Sequence, residues 1–539
     1  MTHPVTDGGD QAVRAALTSG GLTAVEELFD ELWFDLPDRF AREVVAATRT
    51  VGPDELDRRP RLLQAVFLSE YRLGYGAGDP ELRKVVQFYR DQGRRYSLRL
   101  SSVRSADLLT AGTMAVISAR LQGDLEASER IGSWVDKQLT LGGGRRIVPV
   151  GRTEVPARPG WLATERGLTA TLAGRLDHAV QLYQQARAQA GRPPRAHYAG
   201  ANAVANLALL AAYRGHLDLA NRWLDELDGL GAVPAWTEHL TTVGAKIARA
   251  LVAVEELDQA AAEAYLAQAG SATQSVELWP FLAYAHALRD AVWGDPHSGL
   301  ARLDEARFSH GAEGADVPAM TGELLARAEG VLLARAQAVS RLVHLRDERH
   351  HEDTLGFCAA WAYLRAGQHH KAVQAAVQGL QAGPRRVSDV VGLHATLAVA
   401  HLRLGRTDRA ATAFTSAVHA RSGPRHLLPF IGLDPADLRR LSAAAGLEID
   451  LPLPVWRSAT GAADVAAAPV RLTPREHAVL AGLSDGSTAA KVAASLGVAP
   501  TTVRTQIRSI YKKLGASSRQ EALARAHDLG LVPSRPIGR

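Results

Sequence analysis

The chain has 539 residues, of which 46% are hydrophobic and 22% are charged, a composition typical of globular proteins. This length excludes one compact domain and predicts several units or a repeat array. The sequence contains no run of eighteen apolar residues, its first ten residues do not resemble a signal peptide, and Cys358 is its single cysteine. These features argue against a membrane span, an intramolecular disulfide and a cysteine-rich zinc site, and the cytoplasm is the expected location.

Positive charge is concentrated at one end of the chain. Residues 471–539 hold 11 Lys and Arg against 4 Asp and Glu, whereas the rest of the chain holds 51 basic and 53 acidic residues. A short basic segment on a nearly neutral body predicts a module that binds a polyanion, because positive potential collects where a phosphate backbone would lie. A basic tail that only aids solubility has the same composition, so charge alone does not decide between the two.

Residues 1–10 are predicted to be disordered, and residues 11–425 show the pattern of one helix after another. A short signature recurs there: an apolar helix end, a glycine, and a small residue five positions later in the next helix. The glycine permits the left-handed backbone that ends a helix, and the small residue lets two helices approach closely. The copies are Gly174/Ala179, Gly215/Ala220, Gly367/Ala372 and Gly405/Ala410, with weaker ones at Gly123/Ser128 and Gly294/Gly299.

Helical hairpins repeated about every forty residues form an α-solenoid, in which each hairpin packs only against its neighbours. The region resembles tetratricopeptide repeats, although the copy within residues 251–267 has Glu255 where the glycine would stand. An irregular helical bundle is the alternative fold. The resemblance implies a sensor or interaction region whose groove holds a protein, a peptide or a small-molecule effector, and a spacer and dimerisation scaffold is the other interpretation.

No stretch of the sequence supports an enzyme. Residues 141–156 lack the first glycine and the lysine of a phosphate-binding loop, so a loop between repeats is expected there. The His, Glu and Asp cluster at residues 350–353 lies about 25 Å along a predicted helix from the histidines at 369–370, too far to share one ion. A solvated turn is expected at the first cluster, and Cys358 is expected to be a small buried hydrophobe. We assign no catalytic, metal or cofactor site.

Residues 426–470 are predicted to connect the repeats to the basic segment. The stretch 448–470 is rich in Pro and Ala and shows no helical period, which is typical of a linker. The basic domain is then predicted over residues 471–532, with residues 533–539 as a tail.

A clear helix-capping signal marks the start of the basic domain. Thr473 is placed to cap the first helix, Pro474 to occupy its first position, and Glu476 to complete a capping box. Gly497 ends the second helix, and the third helix follows after a turn of only a few residues. The helices after the first are predicted at about residues 488–495, 500–514 and 518–530.

The third helix has two contrasting edges. Its basic residues Arg504, Arg508 and Lys512 recur four apart, while the apolar residues occupy a different edge. A short helix, a tight turn with glycine and a longer basic helix indicate a helix-turn-helix, in which the apolar edge packs inward and the basic edge is free to enter a major groove. The apolar residues are Val503, Ile507, Ile510, Tyr511 and Leu514.

This segment resembles the LuxR/GerE-type DNA-binding domain of bacterial regulators at many fixed offsets. The resemblance covers about sixty residues and implies a four-helix LuxR-type domain. Together with the repeats, it makes an all-α protein the expected fold, with an N-terminal α-solenoid and this C-terminal domain. The matching residues are Leu472-Thr473, Arg475-Glu476, Val479-Leu480, Gly486, Ala493, Leu496, Thr502-Val503, Ile507, Ile510, Lys513-Leu514-Gly515, Ser518-Arg519 and Glu521-Ala522.

The resemblance implies a division of roles among the polar residues. The groove-facing positions of the family fall at Arg504, Thr505 and Arg508, and arginine can take guanine O6 and N7 in a bidentate contact. Phosphate contacts set the register without reading sequence. The residues that we expect to make them are Thr501, Thr502, Lys512 and Arg519, together with Lys491 and Lys513.

Three departures from the family pattern stand out. Ala499 replaces the usual serine cap of the third helix, and such a loss costs about 1 kcal/mol. Gln506 replaces a common histidine. The usual Asn-Lys-Glu run of the second helix is Ala489-Ala490-Lys491, so one expected phosphate partner is missing and a lysine stands beside it.

The resemblance implies a bacterial transcription regulator. Larger family members join an ATPase domain to a helical-repeat sensor and this DNA-binding end; this sequence resembles the last two parts, and neither an ATPase nor a phospho-receiver domain is expected in it. Its expected partners are double-stranded DNA, a second copy of the chain on paired half-sites, RNA polymerase, and an effector in the solenoid groove. The last helix is where family members often dimerise, which nominates Ala522, Leu523 and Ala526, although packing inside the domain is the alternative for them. The rival function is a helical-repeat interaction scaffold whose terminal domain binds protein or nonspecific nucleic acid.

Overall fold

The computed structural model describes residues 7–75, 82–141, 147–150, 153–191, 198–273, 277–312, 317–348, 352–383, 386–431, 433–447, 472–514, 516, 518–528 and 531. Within these residues the chain forms 28 α-helices, four short 3₁₀ helices and one two-stranded β-hairpin, so the predicted all-α class is confirmed.

The helices begin and end as follows: α1 Asp7–Ser19, α2 Gly21–Leu32, α3 Asp35–Thr48, α4 Pro53–Arg58, α5 Pro60–Gly74, α6 Leu82–Ser97, α7 Leu108–Leu121, α8 Leu125–Leu141, α9 Trp161–Leu172, α10 Leu176–Ala190, α11 Tyr198–Tyr213, α12 Leu217–Gly229, α13 Glu238–Thr241, α14 Val243–Glu255, α15 Gln259–Ala269, α16 Trp279–Val292, α17 Pro296–Ser309, α18 Ala319–Arg335, α19 Val339–Glu348, α20 Glu352–Arg365, α21 His369–Gln381, α22 Val387–Arg403, α23 Thr407–His419, α24 Pro435–Ala445, α25 Pro474–Ser484, α26 Ala489–Ser495, α27 Pro500–Leu514 and α28 Arg519–Asp528.

The hairpin is a difference from the expectation for residues 141–156. Its antiparallel strands are β1 Ile147–Val150 and β2 Thr153–Pro156, where the sequence predicted a loop between repeats. Two strands of four residues are too short to produce a readable alternation, but their valines and isoleucine favour extended backbone. The turn that joins them, residues 151–152, lies outside the described residues.

The chain divides into two compact units. Unit 1 comprises Met1–Ala211, Leu219–Ala248 and Pro318–Met320, and unit 2 comprises Ala212–Asp218, Arg249–Val317 and Thr321–Arg539. In each unit, helices contact the next helix along the chain, as α7, α8 and α9 do in unit 1 and α20, α21, α22 and α23 do in unit 2. Packing between sequence neighbours is what stacked helical hairpins require.

The repeat signature acts as predicted at five of its six copies, and Gly294 is the exception because its φ is not in the left-handed range. Gly123, Gly174, Gly215, Gly367 and Gly405 all adopt the left-handed conformation, with φ between +67° and +83°. The small residues five positions later are fully buried, which allows the close approach of the paired helices. These residues are Ser128, Ala179, Ala220, Ala372 and Ala410, each with 0% exposure.

Two further copies use residues other than glycine at the turn. Leu257 has φ +59° between α14 and α15, and Gln337 has φ +56° between α18 and α19. The sequence had placed the substitution at Glu255, which instead is the last residue of α14. The repeat signature does not reveal the copy at Gln337, because the signature contains a glycine at that position. Leu342, five positions later, is nevertheless buried like the small residues of the other copies.

The boundaries of the terminal regions differ slightly from the predicted ones. Helix α1 begins at Asp7, inside the segment predicted to be disordered, and residues 1–6 lie outside the described residues. Helix α24 lies within the segment predicted to connect the repeats to the basic domain. The predicted linker at 448–470 and the tail at 533–539 lie outside the described residues.

Candidate nucleic-acid interface

Helix α25 begins with the capping box that the sequence predicted. The backbone N–H of Glu476 donates to Thr473 Oγ1 at 3.2 Å, and the backbone N–H of Thr473 donates to Glu476 Oε2 at 2.6 Å. Pro474 occupies the first helical position, where no backbone donor is needed. These contacts fix where α25 begins.

Helices α25, α26, α27 and α28 share an apolar core. Gly486 and Gly497 adopt left-handed φ values of +82° and +64°, which end α25 and α26 as sharp turns. The arrangement of a short helix, a glycine turn and a longer helix is that of a helix-turn-helix. The buried core residues are Val479, Leu480, Leu483, Val492, Ala493, Val503, Ile510, Leu514, Ala522, Ala526 and Leu531.

The two edges of α27 are separated as predicted. Val503, Ile510 and Leu514 are at most 5% exposed and face the core. On the other edge, the base-reading candidates and one phosphate candidate are exposed to solvent; they are Arg504, Thr505, Arg508 and Lys512. Thr505 Oγ1 donates to the Thr501 carbonyl at 3.1 Å, so its lone pairs rather than its proton face outward. The outer edge of α27 therefore exposes three cationic side chains to solvent, those of Arg504, Arg508 and Lys512.

The other phosphate candidates fall into two groups. Thr501, Thr502 and Lys491 are exposed at or near the N-terminal ends of α27 and α26. In contrast, Lys513 Nζ donates to Glu476 Oε2 at 2.6 Å, and Arg519 donates to the Leu483 carbonyl at 2.7 Å. Each of these two cations thus already holds a structural contact inside the domain.

Glu476 is the centre of a polar cluster that the sequence only partly revealed. Besides closing the capping box, it accepts hydrogen bonds from Lys513 Nζ and from Ser509 Oγ, the latter at 2.7 Å. Burial opposes ionisation of this carboxyl group, but the hydrogen bonds from Lys513, Thr473 and Ser509 together lower its pKa to about 2. The cluster ties α27 to the start of α25. The spacing of Ser509 and Lys513, one turn apart between the two edges of α27, was the available signal.

Two arginines complete the helix ends. Arg519 donates to the carbonyl of Leu483 in the last turn of α25. Arg525 Nη1 donates to the carbonyl of Leu514, the last residue of α27, at 2.9 Å. Guanidinium groups can satisfy carbonyls that have no partner within the helix. These contacts hold α28 against the ends of the two helices that position the basic edge.

Helix α28 offers less surface than its sequence suggested. Ala522 and Ala526 are 1% and 0% exposed and belong to the domain core, which favours the alternative of packing inside the domain. Leu523 is half-buried and remains the apolar residue of this set that reaches the surface.

The sequence singled out two further features, the cluster at residues 350–353 and Cys358. No three His, Cys, Asp or Glu side chains are grouped within the described ranges so as to hold a metal ion, and His350 and His351 lie outside those ranges. Cys358 is 4% exposed, and burial raises the pKa of its thiol to about 12, as expected of a packed hydrophobe. None of the described helices combines the length and apolarity that crossing a bilayer requires.

Residues 470–526 match the family of bacterial regulatory proteins of the luxR type. The chain is also 45% identical over 58 residues to the HTH-type transcriptional regulator MalT of Serratia proteamaculans (strain 568), a match that covers 11% of this chain and 6% of that protein. The chain therefore spans only a small part of the length of this relative. On its geometry and on these matches, the C-terminal domain is a LuxR/GerE-type helix-turn-helix domain, joined in this chain to a helical N-terminal region.

Proposed function

We propose that the protein is a sequence-specific DNA-binding transcriptional regulator whose helix α27 enters the major groove. The observation that carries this proposal is the outer edge of α27, where Arg504, Arg508 and Lys512 are exposed while the opposite edge packs into the core. An α-helix fits the width of the major groove, and arginine at its surface suits guanine. The similarity to a transcriptional regulator over the same domain supports this assignment.

The contacts divide by their place on the domain. Arg504, Thr505 and Arg508 read base edges, because they lie along the exposed face of α27. Phosphate contacts come from residues at the margins of that face, which set the register of the helix in the groove. These are Thr501, Thr502, Lys512 and Lys491, and the free donors of Lys513 and Arg519 add weaker contacts because each already bonds within the domain.

The helical repeats govern this activity through an effector. The protein acts in the bacterial cytoplasm as a homodimer on paired half-sites, with Leu523 on α28 as a residue at the dimer contact, and it engages RNA polymerase from the DNA. The repeats bind a protein, peptide or small molecule and thereby change how two DNA-binding domains pair. Stacked hairpins favour this role because they present extended surfaces along their length.

Selection from a random duplex pool tests the proposal. We expect the whole chain and residues 465–539 to enrich the same two-fold symmetric motif. A motif enriched by the isolated domain alone would support regulation by the repeats and would start the search for the effector. Failure of both to enrich any motif would overturn the proposal and favour an interaction scaffold whose terminal domain binds protein or nonspecific nucleic acid.

A further inference from the structure

A cavity of about 480 Å³ opens between helices α15, α16 and α17 of unit 2. Its volume lies within the range of about 300–1,000 Å³ that is typical of small-molecule sites. The apolar part of its wall consists of leucine and alanine side chains, among them Leu266, Ala283, Ala287 and Leu303. Such a wall suits an aliphatic body of modest size.

Two guanidinium groups on the wall of this cavity lie against one buried carboxylate. Asp290 is 1% exposed, and its Oδ2 accepts a hydrogen bond from Arg302 Nε at 3.1 Å. Arg289 Nε lies 3.1 Å from Asp290 Oδ1. Both arginine side chains retain solvent contact, at 29% and 47% exposure for Arg289 and Arg302. Because two cations share one anion, the group has an excess positive charge and unused N–H donors.

The backbone of α17 is shaped to keep this group in place. A Cβ atom at Gly299 would come within 3.1 Å of Asp290 Cβ and 2.6 Å of Leu332 Cδ2, so glycine lets α17 lie close to the carboxylate without displacing either side chain. His286 Nε2 lies 3.1 Å from the Gly270 carbonyl, to which it donates. Burial lowers the pKa of His286, so its ring is neutral at pH 7 and adds no charge to the cavity.

Two carboxylates of the lining limit which anion can bind. Glu263 and Glu305 line the cavity and are exposed. Two such carboxylates repel a dianion more strongly than a monoanion. A planar monocarboxylate also matches the paired N–H donors of a guanidinium group.

We propose that this cavity binds a small aliphatic monocarboxylate, with its carboxylate on Arg289 and Arg302 and its chain against the leucine and alanine wall. The consequence for regulation rests on the proposed function: occupancy of the cavity is the effector signal of the repeats. The site itself does not depend on DNA binding.

Calorimetric titration of the full chain with sodium octanoate at pH 7.5 tests the site. We expect a Kd of about 1 mM or tighter for this small probe. Octan-1-ol, which has the same chain without the charge, and octyl phosphate, which carries more charge, should each bind at least tenfold more weakly. Equal binding of octanoate and octan-1-ol would overturn the site. So would the absence of any binding heat when the octanoate concentration reaches ten times the expected Kd.

Two variants locate the binding. Arg302→Gln removes one guanidinium group, and Ala267→Phe places a bulky side chain on the cavity wall from an exposed position of α15. Each should weaken octanoate binding at least tenfold, whereas Arg222→Gln, at an exposed position of α12, should leave it unchanged. Ala267→Phe keeps Asp290 and both arginines, so it remains informative where Arg302→Gln loses stability. Unchanged binding by Ala267→Phe would overturn the location.

The regulatory consequence has its own measurement. Saturating octanoate should change the affinity of the full chain for the duplex that it selects by about fivefold or more. Octanoate that binds and leaves this affinity unchanged would overturn the effector role and keep the site. A chain that binds octanoate and selects no duplex would overturn the proposed function, so the two failures are distinguishable.

Discussion

The helical repeats and the DNA-binding domain use arginine in opposite ways. In unit 2, Arg386 is 4% exposed and donates to Glu255 Oε1 at 3.1 Å, to Asp389 Oδ1 at 3.3 Å and to the Tyr213 carbonyl at 2.5 Å. In α27, Arg504 and Arg508 are exposed. A count of charges treats these residues alike. Only burial and pairing decide which arginines hold helices together and which are available to a nucleic acid.

The buried network around Arg386 connects side chains from several helices. Ser388 Oγ and His426 Nε2 also contact Glu255, and the Arg386 guanidinium lies over the rings of Tyr213 and Tyr284. Burial alone would raise the pKa of Glu255, but contacts with His426, Arg386 and Ser388 lower it, so the carboxylate stays ionised. A buried ion pair of this kind contributes little as a pair, but removal of one partner is costly.

The largest expected effect is a loss of stability when the buried arginine of the repeats is replaced. Arg386→Met should lower the free energy of unfolding by about 3–5 kcal/mol, because Glu255 and Asp389 lose a buried cation. Urea unfolding followed by tryptophan fluorescence measures the change. Arg406→Met is the matched control, since Arg406 also directly precedes a helix, α23, but is exposed. A loss below about 1 kcal/mol for Arg386→Met would contradict the stabilising role of the network.

The next effect concerns the exposed arginines. Arg504→Ala and Arg508→Ala should each weaken binding to the selected duplex by about 1–3 kcal/mol and binding to random DNA much less, because they read bases. Both variants should retain the unfolding free energy of the parent chain, in contrast to Arg386→Met. Electrophoretic titration against both duplexes measures the difference. Equal losses on the two duplexes would argue against base readout.

The same contrast explains how much the sequence could predict. The capping box of Thr473 and Glu476, the bounds of α27 and its two edges follow from spacings of three or four residues, and they were predicted correctly. One partner of Arg386 is Glu255, 131 positions away, and no local pattern indicates such a pairing. The bonds of Lys513 and Arg519 were missed for a related reason, because they depend on how α27 and α28 lie against α25.

The repeat turns show a second limit of local patterns. Glycine identified the turns where it is present, but Leu257 and Gln337 adopt the same left-handed backbone. Tertiary packing of the flanking helices, such as the burial of Leu342 after Gln337, holds the turn in place despite the strain. Residue type alone therefore does not predict the left-handed backbone at such positions.

A pH titration sharpens the comparison within the DNA-binding domain. The pKa of Glu476 in the folded domain is about 2, below its ordinary value of 4.5. Its contribution to stability is therefore full above pH 4.5 and is lost as the pH falls toward 2. We expect about 2 kcal/mol, less than the full shift implies, because Lys513 is partly exposed and its charge is screened.

Circular dichroism of residues 465–539 in urea measures this effect, with Glu476→Gln as the comparison. The parent domain should be more stable than the variant by about 2 kcal/mol at pH 7, and the difference should shrink below pH 4. A difference that stays constant down to pH 2.5 would mean that ionisation of Glu476 does not hold α27 to α25.

Substitutions at two repeat turns should change the free energy of unfolding in opposite directions. Gly367→Ala should lower the free energy of unfolding by about 1 kcal/mol through backbone strain, since no atom lies near enough to clash with the added Cβ. Gln337→Gly should raise it by up to about 1 kcal/mol, because relief of strain exceeds the added freedom of the unfolded chain. Urea unfolding of both variants checks the pair, and a destabilised Gln337→Gly would show that its side chain matters more than its backbone.

The smallest expected effect separates two adjacent lysines. Lys512 is exposed on the outer edge of α27, whereas Lys513 is bound to Glu476, so Lys512→Ala should lower the slope of log affinity against log salt by about one unit and Lys513→Ala by clearly less. Fluorescence anisotropy of the full chain at several salt concentrations measures both slopes, and Lys371→Ala, an exposed lysine of the repeats, provides the control. Equal slopes for the two α27 variants would mean that Lys513 leaves Glu476 when DNA binds. The lysine would then exchange one carboxylate for a phosphate, and the capping cluster would itself respond to DNA.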